Sequence, residues 1–265
     1  MIASSREQKA EAFRALHQRD PFVIPNPWDA GSARILAALG FKALATTSSG
    51  FALTLGRLDG NVTLDELTGH IRALDEATVL PVSADLENGF GAGPEDAARA
   101  ITQAAQAGAV GGSIEDYDPT GKIYPLAHAV ERVAAAAEAA QAVGFPFTFT
   151  ARAENHIRGN PDIGDTIARL QAYERAGADV LYAPGLRNAD EIRAVCQATS
   201  KPVNVLAHRN LSLRDIVGAG AQRISVGGAL AWVAVGAMAE AATAIRDRGD
   251  FSALNAKLPV GDWLK

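Results

Sequence analysis

The stretch AQAGAVGGSIED, residues 105–116, runs from a helix end through a glycine turn into a short β-rich segment and finishes on two acids. The same order returns in AALGFKALATTSSG (37–50), ERAGADVLYAPG (174–185) and VGAGAQRISVGG (217–228). Each reads as a helix C-terminus, a glycine turn, a strand, then small or polar residues. This is a βα unit, repeated. Filling the intervals predicts strands over 22–25, 42–47, 81–85, 110–114, 147–151, 179–182, 202–206 and 223–226. Helical patterns fall between them, including GPEDAARAITQAAQAG (93–108), with Pro94 suited to a first turn, and the alanine-rich 125–144. Eight alternating units in 265 residues predict an α/β fold, a closed (β/α)8 TIM-type barrel, with SREQKAEAFRAL (5–16) as an extra N-terminal helix. An open, doubly wound sheet is the alternative topology. No linker rich in Pro, Gly and Ser interrupts the series, so one domain over 1–265 is expected.

Composition narrows the function classes. A formal net charge of -5 and the lack of any Lys/Arg run give no footprint for a polyanion, so no nucleic acid partner is expected. The single cysteine, Cys196, excludes an internal disulfide, and the N-terminal stretch lacks the basic-then-apolar order of a signal peptide, which points to the cytoplasm. The most apolar stretch, ALAWVAVGAMA (229–239), falls short of the roughly 18–20 residues needed to span a bilayer. No membrane partner is expected.

In such a barrel the chemistry collects at the C-terminal ends of the strands. The polar residues here do so. Strand three ends in DLENGFG (85–91) and strand four in EDYD (115–118), which would bring Asp85, Glu87, Glu115 and Asp116 to one mouth. Such a cluster needs a cation or raised pKa values. All-oxygen ligands without a paired His or Cys motif favour Mg2+ or Mn2+ over Zn2+. Capping of helices or pairing with arginines would place the same acids equally well. Strand five ends in ARAENH (151–156), where Arg152 can hold a carboxylate through two parallel hydrogen bonds and neutralise a developing oxyanion, or simply balance the acids. TTSSGF (46–51) offers Ser48, Ser49 and the backbone around Gly50 as an anion cradle, Asn204 closes strand seven as a further substrate contact, and SVGG (225–228) has the form of a phosphate loop or of close strand–helix packing. A Schiff-base lysine is disfavoured because Lys42 and Lys201 lie at strand starts, and Cys196 sits on an apolar helix face suited to packing.

NPWDAGSA (26–33), SADLENGFG (83–91), GSIED (112–116), TARAEN (150–155) and VLYAPG (180–185), in this order, resemble the isocitrate lyase/phosphoenolpyruvate mutase superfamily over nearly the whole chain. The resemblance implies a (β/α)8 barrel whose last helix is exchanged between subunits of a homodimer or homotetramer. It also implies a Mg2+-bound 2-oxo acid whose enolate is stabilised as a C–C or P–C bond breaks or forms. By position, Asp85 would be the principal metal ligand, with Glu87 and Glu115 in outer or water-mediated metal positions. Ser49, Gly50 and Arg152 would contact the substrate carboxylate and oxyanion, Asp59 of GRLDG (56–60) would lie near the reacting group, and Trp28 and Asp29 would line the mouth. Arg152, Asp59 and Glu115 are thus the expected catalytic groups.

The loop after strand four departs from the pattern. Isocitrate and methylisocitrate lyases carry a Lys-x-Cys-Gly-His type gate there and the mutase a Lys-Thr-Asn-Ser type gate, whereas this chain reads IEDYDPTGKIYPLAHAVERV (114–133). Neither gate is present. Without the thiol, an enolate protonated by water or a tyrosine, Tyr124 or Tyr182, is the expected chemistry. The leading expectation is therefore a Mg2+-dependent lyase acting on a small 2-oxo carboxylate by decarboxylation or retro-aldol cleavage. A P–C bond hydrolase, a non-catalytic 2-oxo acid binding protein and a sugar-phosphate enzyme using the SVGG loop are the alternatives.

Overall fold

The computed structural model describes residues 4–255 and 257–264; Met1–Ala3, Ala256 and Lys265 of the expected 1–265 domain lie outside the described residues. In chain order the strands are β1 (Phe22–Ile24), β2 (Leu44–Ala45), β3 (Val82–Asp85), β4 (Gly111–Glu115), a hairpin of β5 (Tyr117–Asp118) and β6 (Lys122–Ile123), then β7 (Thr148–Arg152), β8 (Val180–Tyr182), β9 (Val203–Leu206) and β10 (Arg223–Ser225). Eight of them form one parallel sheet in the order β1-β10-β9-β8-β7-β4-β3-β2, the nearly closed ring expected of a (β/α)8 barrel. The two ends of that order, β1 and β2, share no ladder. They are joined by one backbone bond, Ala45 N–H to Pro25 C=O at 3.1 Å. The Asn26 side chain bridges the seam: its amide donates to Thr46 C=O (2.9 Å) and its oxygen accepts from Val226 N–H (3.0 Å).

The helices follow from their caps. Helix α1 (Arg6–Leu16) begins with a reciprocal Ser5–Gln8 capping box, α2 (Ala30–Ala38) is capped by Asp29, and α3 (Ser48–Thr54) by Thr47. Helix α4 (Leu64–Ala77) starts on a Thr63–Glu66 box and α5 (Pro94–Ala107) on a proline. Next come α6 (Leu126–Ala142), α7 (Ile163–Arg175), α8 (Ala189–Ala198), α9 (Leu213–Gly218), α10 (Ala229–Arg248) and α11 (Val260–Trp263). Buried alanines on α5 (Ala97, Ala100, Ala104) and α6 (Ala129, Ala136, Ala140) let these helices lie close to the sheet and to each other.

Helix α1 closes the floor of the barrel. Phe13 is fully buried, and Gly111 makes room for it, since a Cβ there would stand 2.7 Å from the Phe13 ring. Buried Lys9 ties the same helix to the end of α4 through Asp75 Oδ1 (2.6 Å) and the Thr78 carbonyl (2.9 Å). At the mouth, Phe51 of α3 stacks on His70 of α4 with centroids 4.0 Å apart, which seats the serine-bearing turn.

Two expectations need correcting, and one loop holds an element the sequence reading did not place. The strand predicted over 42–47 is only Leu44–Ala45: Thr46 still donates its N–H to Ser83 C=O, but Thr47 already caps α3, and the Ser-Ser-Gly run is therefore a helix start. The loop after β4 holds a hairpin, closed by Thr120 N–H donating to Asp118 Oδ1 at 2.7 Å and by Gly121 at φ 97°. The segment judged too short for a bilayer belongs to α10, which is 20 residues long and apolar enough to cross a membrane by length and composition. Its Trp232, Val233 and Met238 side chains are 51, 69 and 64% exposed, so this helix packs little against its own barrel.

His70 gives the fold a measurable acid sensitivity. Burial holds its imidazole down at about 4, with Asp29 opposing in part, and its Nε2 has no hydrogen-bond partner among the described residues. The unfolded chain takes up this proton near pH 6.5 and the folded chain only near 4, so stability is lost as pH falls across that window. In urea titrations from pH 7 to 4.5, His70→Leu should flatten the dependence of unfolding free energy on pH by up to about 1.4 kcal/mol per unit, the equivalent of one proton.

Candidate active site

The register of three adjacent strands assembles the mouth. Glu115 at the end of β4 pairs with Arg152 at the end of β7, and Asp85 at the end of β3 pairs with Ser113. The Arg152 guanidinium lies among carboxylates from all three segments: Asp85 Oδ1 at 2.9 Å, Glu115 Oε2 at 3.0 Å and Glu154 Oε1 at 2.7 Å. Its face lies over the Tyr182 ring, 5.1 Å from the centroid. Burial alone would lower its pKa, but Glu154, Glu115 and Asp85 together hold it well above the usual arginine value. Arg152 is permanently charged and fixed in orientation.

The acids around it are perturbed the other way. Burial pushes the Glu115 carboxyl well above the ordinary range against the pull of Arg152, with Glu154 and Asp85 adding repulsion. Glu87 is pushed up to about 8, first by burial, then by Asp85 and Asp59. It also occupies left-handed backbone (φ 48°), and its Oε1 is buried with no hydrogen-bond partner among the described residues. Perturbed groups of this kind gather at functional sites.

A cavity of about 300 Å³ opens at this mouth, and Ser48, Ser49, Asp59, Asp85, Arg152 and Asn204 all lie on its wall. A larger one, about 500 Å³, opens at the opposite end of the barrel beside Arg14, Asp179 and Lys201; it lacks any acid cluster. Chemistry in this architecture belongs to the former.

The remaining predicted residues stand around that wall. Glu115 sits behind Arg152 as its partner. Gly50 lies within α3, its N–H donating to Thr47 Oγ1, and gives Trp28 room to pack, since a Cβ there would come within 3.0 Å of the Trp28 Cβ. Asp29 accepts from Ser32 N–H at 2.6 Å, so its carboxylate is engaged as the α2 cap. Asn204 is buried with both ends of its amide engaged, by Arg223 and by Ser225. Asp116, expected at the mouth, is instead behind the sheet: Arg169 (3.0 Å) and Tyr173 hold its Oδ2 and Glu154 N–H its Oδ1. Adjacent residues at a strand end face opposite ways, so Glu115 and Asp116 could not both turn inward. Of the two tyrosines, Tyr182 lines the cavity, whereas Tyr124 is buried beside α6 with Arg132 over its ring. Cys196 is half-buried, and burial pushes its thiol up to about 11.

Three further side chains on the cavity wall were not singled out from the sequence. Glu154 is 1% exposed and accepts from both Arg152 and Arg158. Arg158 lines the cavity and stacks on Tyr117 of the hairpin at 3.9 Å. Arg223 lies buried in the barrel interior, at the start of β10. The signal for Arg223 and Glu154 was the two-residue spacing from Ser225 and Arg152, which puts each pair on one strand face.

The sequence profile of phosphoenolpyruvate phosphomutase matches residues 13–246. The chain belongs to the phosphoenolpyruvate mutase family. Within that family it is 30% identical to an oxaloacetate decarboxylase from Rhodopseudomonas palustris over 82% of this chain and 77% of the relative. A crystal structure of a candidate lyase/mutase from Burkholderia cenocepacia J2315 superposes with a TM-score of 0.94 at 54% identity, covering 97% of this chain and 95% of the other. Phosphonopyruvate hydrolase, solved with oxalate and Mg2+, superposes at 0.83 with 25% identity, over 95 and 91% of the two chains. By their names, the first of these is a decarboxylase and the last a hydrolase. The family's expected metal positions are not a ready-made cage in this chain: among the described residues no group of three or more His, Cys, Asp or Glu is placed to hold a metal. Arg152 stands between Asp85 and Glu115 instead.

Removing the central cation should be costly. Arg152→Met should lower the unfolding free energy by about 3–5 kcal/mol at pH 7, because Asp85, Glu115 and Glu154 lose their counter-charge. Denaturant titrations of the wild type and the variant at pH 7 will show the difference.

Proposed function

We propose that this chain is a Mg2+-dependent lyase that cleaves a small 2-oxo carboxylate through a stabilised enolate, by oxaloacetate-like decarboxylation or retro-aldol C–C cleavage. The observation that carries this is the fixed Arg152 guanidinium facing a cavity of about 300 Å³ with its partner Asp85 on the same wall, and the buried, unpartnered carboxyl of Glu87 close to Asp85. The donor set fits the metal. Glu87 Oε1 is a buried carboxylate oxygen lacking a partner among the described residues, and burial together with the neighbouring Asp85 and Asp59 charges raises its pKa, the setting a cation would relieve. Mg2+ characteristically takes only one or two protein carboxylates and fills the rest of its shell with water and substrate oxygens, so Asp85 would hold it as principal ligand, with Glu87 and Glu115 in outer or water-mediated positions. When bound, Mg2+ (or Mn2+) supplies a Lewis acid for the 2-oxo group.

The chain's own groups do the rest. Arg152 offers the substrate carboxylate or enolate oxygen a preoriented charge that needs no reorganisation. Ser48 and Ser49 supply hydroxyls on the opposite wall, and Asp59 closes the cavity rim. No residue of 117–124 lines the cavity, so the hairpin brings no thiol, imidazole or amide to the reacting carbon. That favours release of CO2 or an aldehyde-type fragment over the P–C cleavage of the phosphonopyruvate relative. The partner is thus a small 2-oxo acid in the cytoplasm, neither nucleic acid nor membrane. A second copy of the chain would cover the exposed apolar side of α10, giving a homodimer or homotetramer.

Two measurements test this. Purified protein given a panel of 2-oxo mono- and dicarboxylates with Mg2+ or with chelator should release CO2 and pyruvate in the Mg2+ arm alone. Asp85→Ala should cut kcat/KM by about 10³-fold or more. Phosphate release would instead identify a P–C hydrolase, and metal-dependent binding without product a binding protein. For assembly, Trp232→Glu combined with Met238→Glu should convert an oligomer to a monomer in light scattering.

A further inference from the structure

Arg223 is 5% exposed in the barrel interior, yet every group it bonds is neutral: Asn204 Oδ1 at 2.9 Å, Thr150 Oγ1 at 3.0 Å and His17 Nε2 at 3.4 Å. No carboxylate pairs with it among the described residues. Burial drags its pKa down to about 10, and the titratable group that opposes this is Tyr182. His17 cannot serve as a counter-charge, being a base held neutral with its pKa near 3. A buried, uncompensated guanidinium is expensive to maintain, and its retention calls for a moment in the working cycle when a negative charge forms nearby.

The hydrogen bonds say where that charge forms. Because Asn204 Oδ1 accepts from Arg223, its amide nitrogen must point the other way, and it donates to Ser225 Oγ at 3.0 Å. Ser225 then has its proton to give, and Tyr182 stands on the strand adjoining that of Asn204, paired with it in register. Tyr182, Asn204, Ser225 and Arg223 all line the cavity at the mouth, and the opposite side of the Tyr182 ring is covered by Arg152.

We propose that Tyr182 is the catalytic proton donor to the enolate carbon, taking the place of the absent gate thiol, with Arg223, Asn204 and Ser225 as the positioning chain that orients its hydroxyl and stabilises the tyrosinate. The inference rests on the lyase reading above. In that reaction the C3–C4 bond of the substrate breaks, its electron pair forms the C2–C3 double bond of the enolate, and CO2 leaves. The enolate oxygen then reforms its carbonyl as C3 takes the proton from Tyr182. The tyrosinate, flanked by two guanidinium ions, recovers a proton from water. Its resting phenol is firmly protonated, with burial pushing it up to about 12, so the donor is loaded at neutral pH.

The test compares CO2 release with ketone formation in the same reaction, on oxaloacetate with Mg2+. In the wild-type enzyme the two should coincide. Tyr182→Phe should lower kcat by about 10²-fold or more, and ketone should lag CO2 as free enol leaves the site and tautomerises in solution. Arg223→Met should give the same lag in weaker form, with Arg223→Lys restoring coincidence; a purely structural role for Arg223 would change stability and leave the two time courses together. Tyr182→Phe with wild-type kcat and coincident products would overturn the inference while leaving the lyase reading intact. If wild-type protein cleaves no 2-oxo acid, both fall.

Discussion

One guanidinium holds this mouth together. Asp85, Glu115 and Glu154 arrive from three neighbouring strand ends, and three buried carboxylates cannot share that space unless a cation stands among them. Arg152 is the cation, and because it is bonded from three sides it has no freedom to turn away. The parallel register β3-β4-β7 is what delivers those acids to one height, so the geometry of the sheet and the electrostatics of the site are a single arrangement. Tyr182, lying under the same guanidinium, completes the enclosure.

Much of this was legible in the sequence because period and punctuation carried it. The repeated helix–glycine–strand order, with its intervals filled, placed all eight barrel strands; the rule that loops converge at the C-terminal face brought Asp85, Arg152, Ser48, Ser49 and Asn204 to one cavity wall, and the family resemblance added Asp59. What escaped was local direction. Glu115 and Asp116 are neighbours in sequence, but strand alternation sends one to Arg152 and the other behind the sheet to Arg169. Asp29 looks like a mouth acid until its Ser32 partner shows it to be a helix cap. Glu154 and Arg223 become significant only when the partners two residues away are known to face inward, and no composition or motif signals that.

The two buried arginines make an instructive contrast. Arg152 is surrounded by acids and its charge is fully answered; Arg223 is surrounded by an amide, a hydroxyl and a neutral imidazole, and its charge is not. A fold selected for stability alone would replace the second with an apolar side chain, since that exchange removes a desolvation cost of several kcal/mol. The asymmetry gives the barrel interior a positive floor beneath a mixed-charge rim. An anionic species held between them would feel attraction from both ends, and the effect grows as water is excluded.

The seam between β1 and β2 has a consequence of its own. Where its neighbours are stitched by full ladders, this edge relies on a single amide at Ala45 and the two-ended reach of Asn26. Slackening there would let the stave bearing Ser48 and Ser49 breathe independently of the rigid half that carries Arg152. Asn26 is thus the latch that fixes the serine-bearing turn against the stave before it.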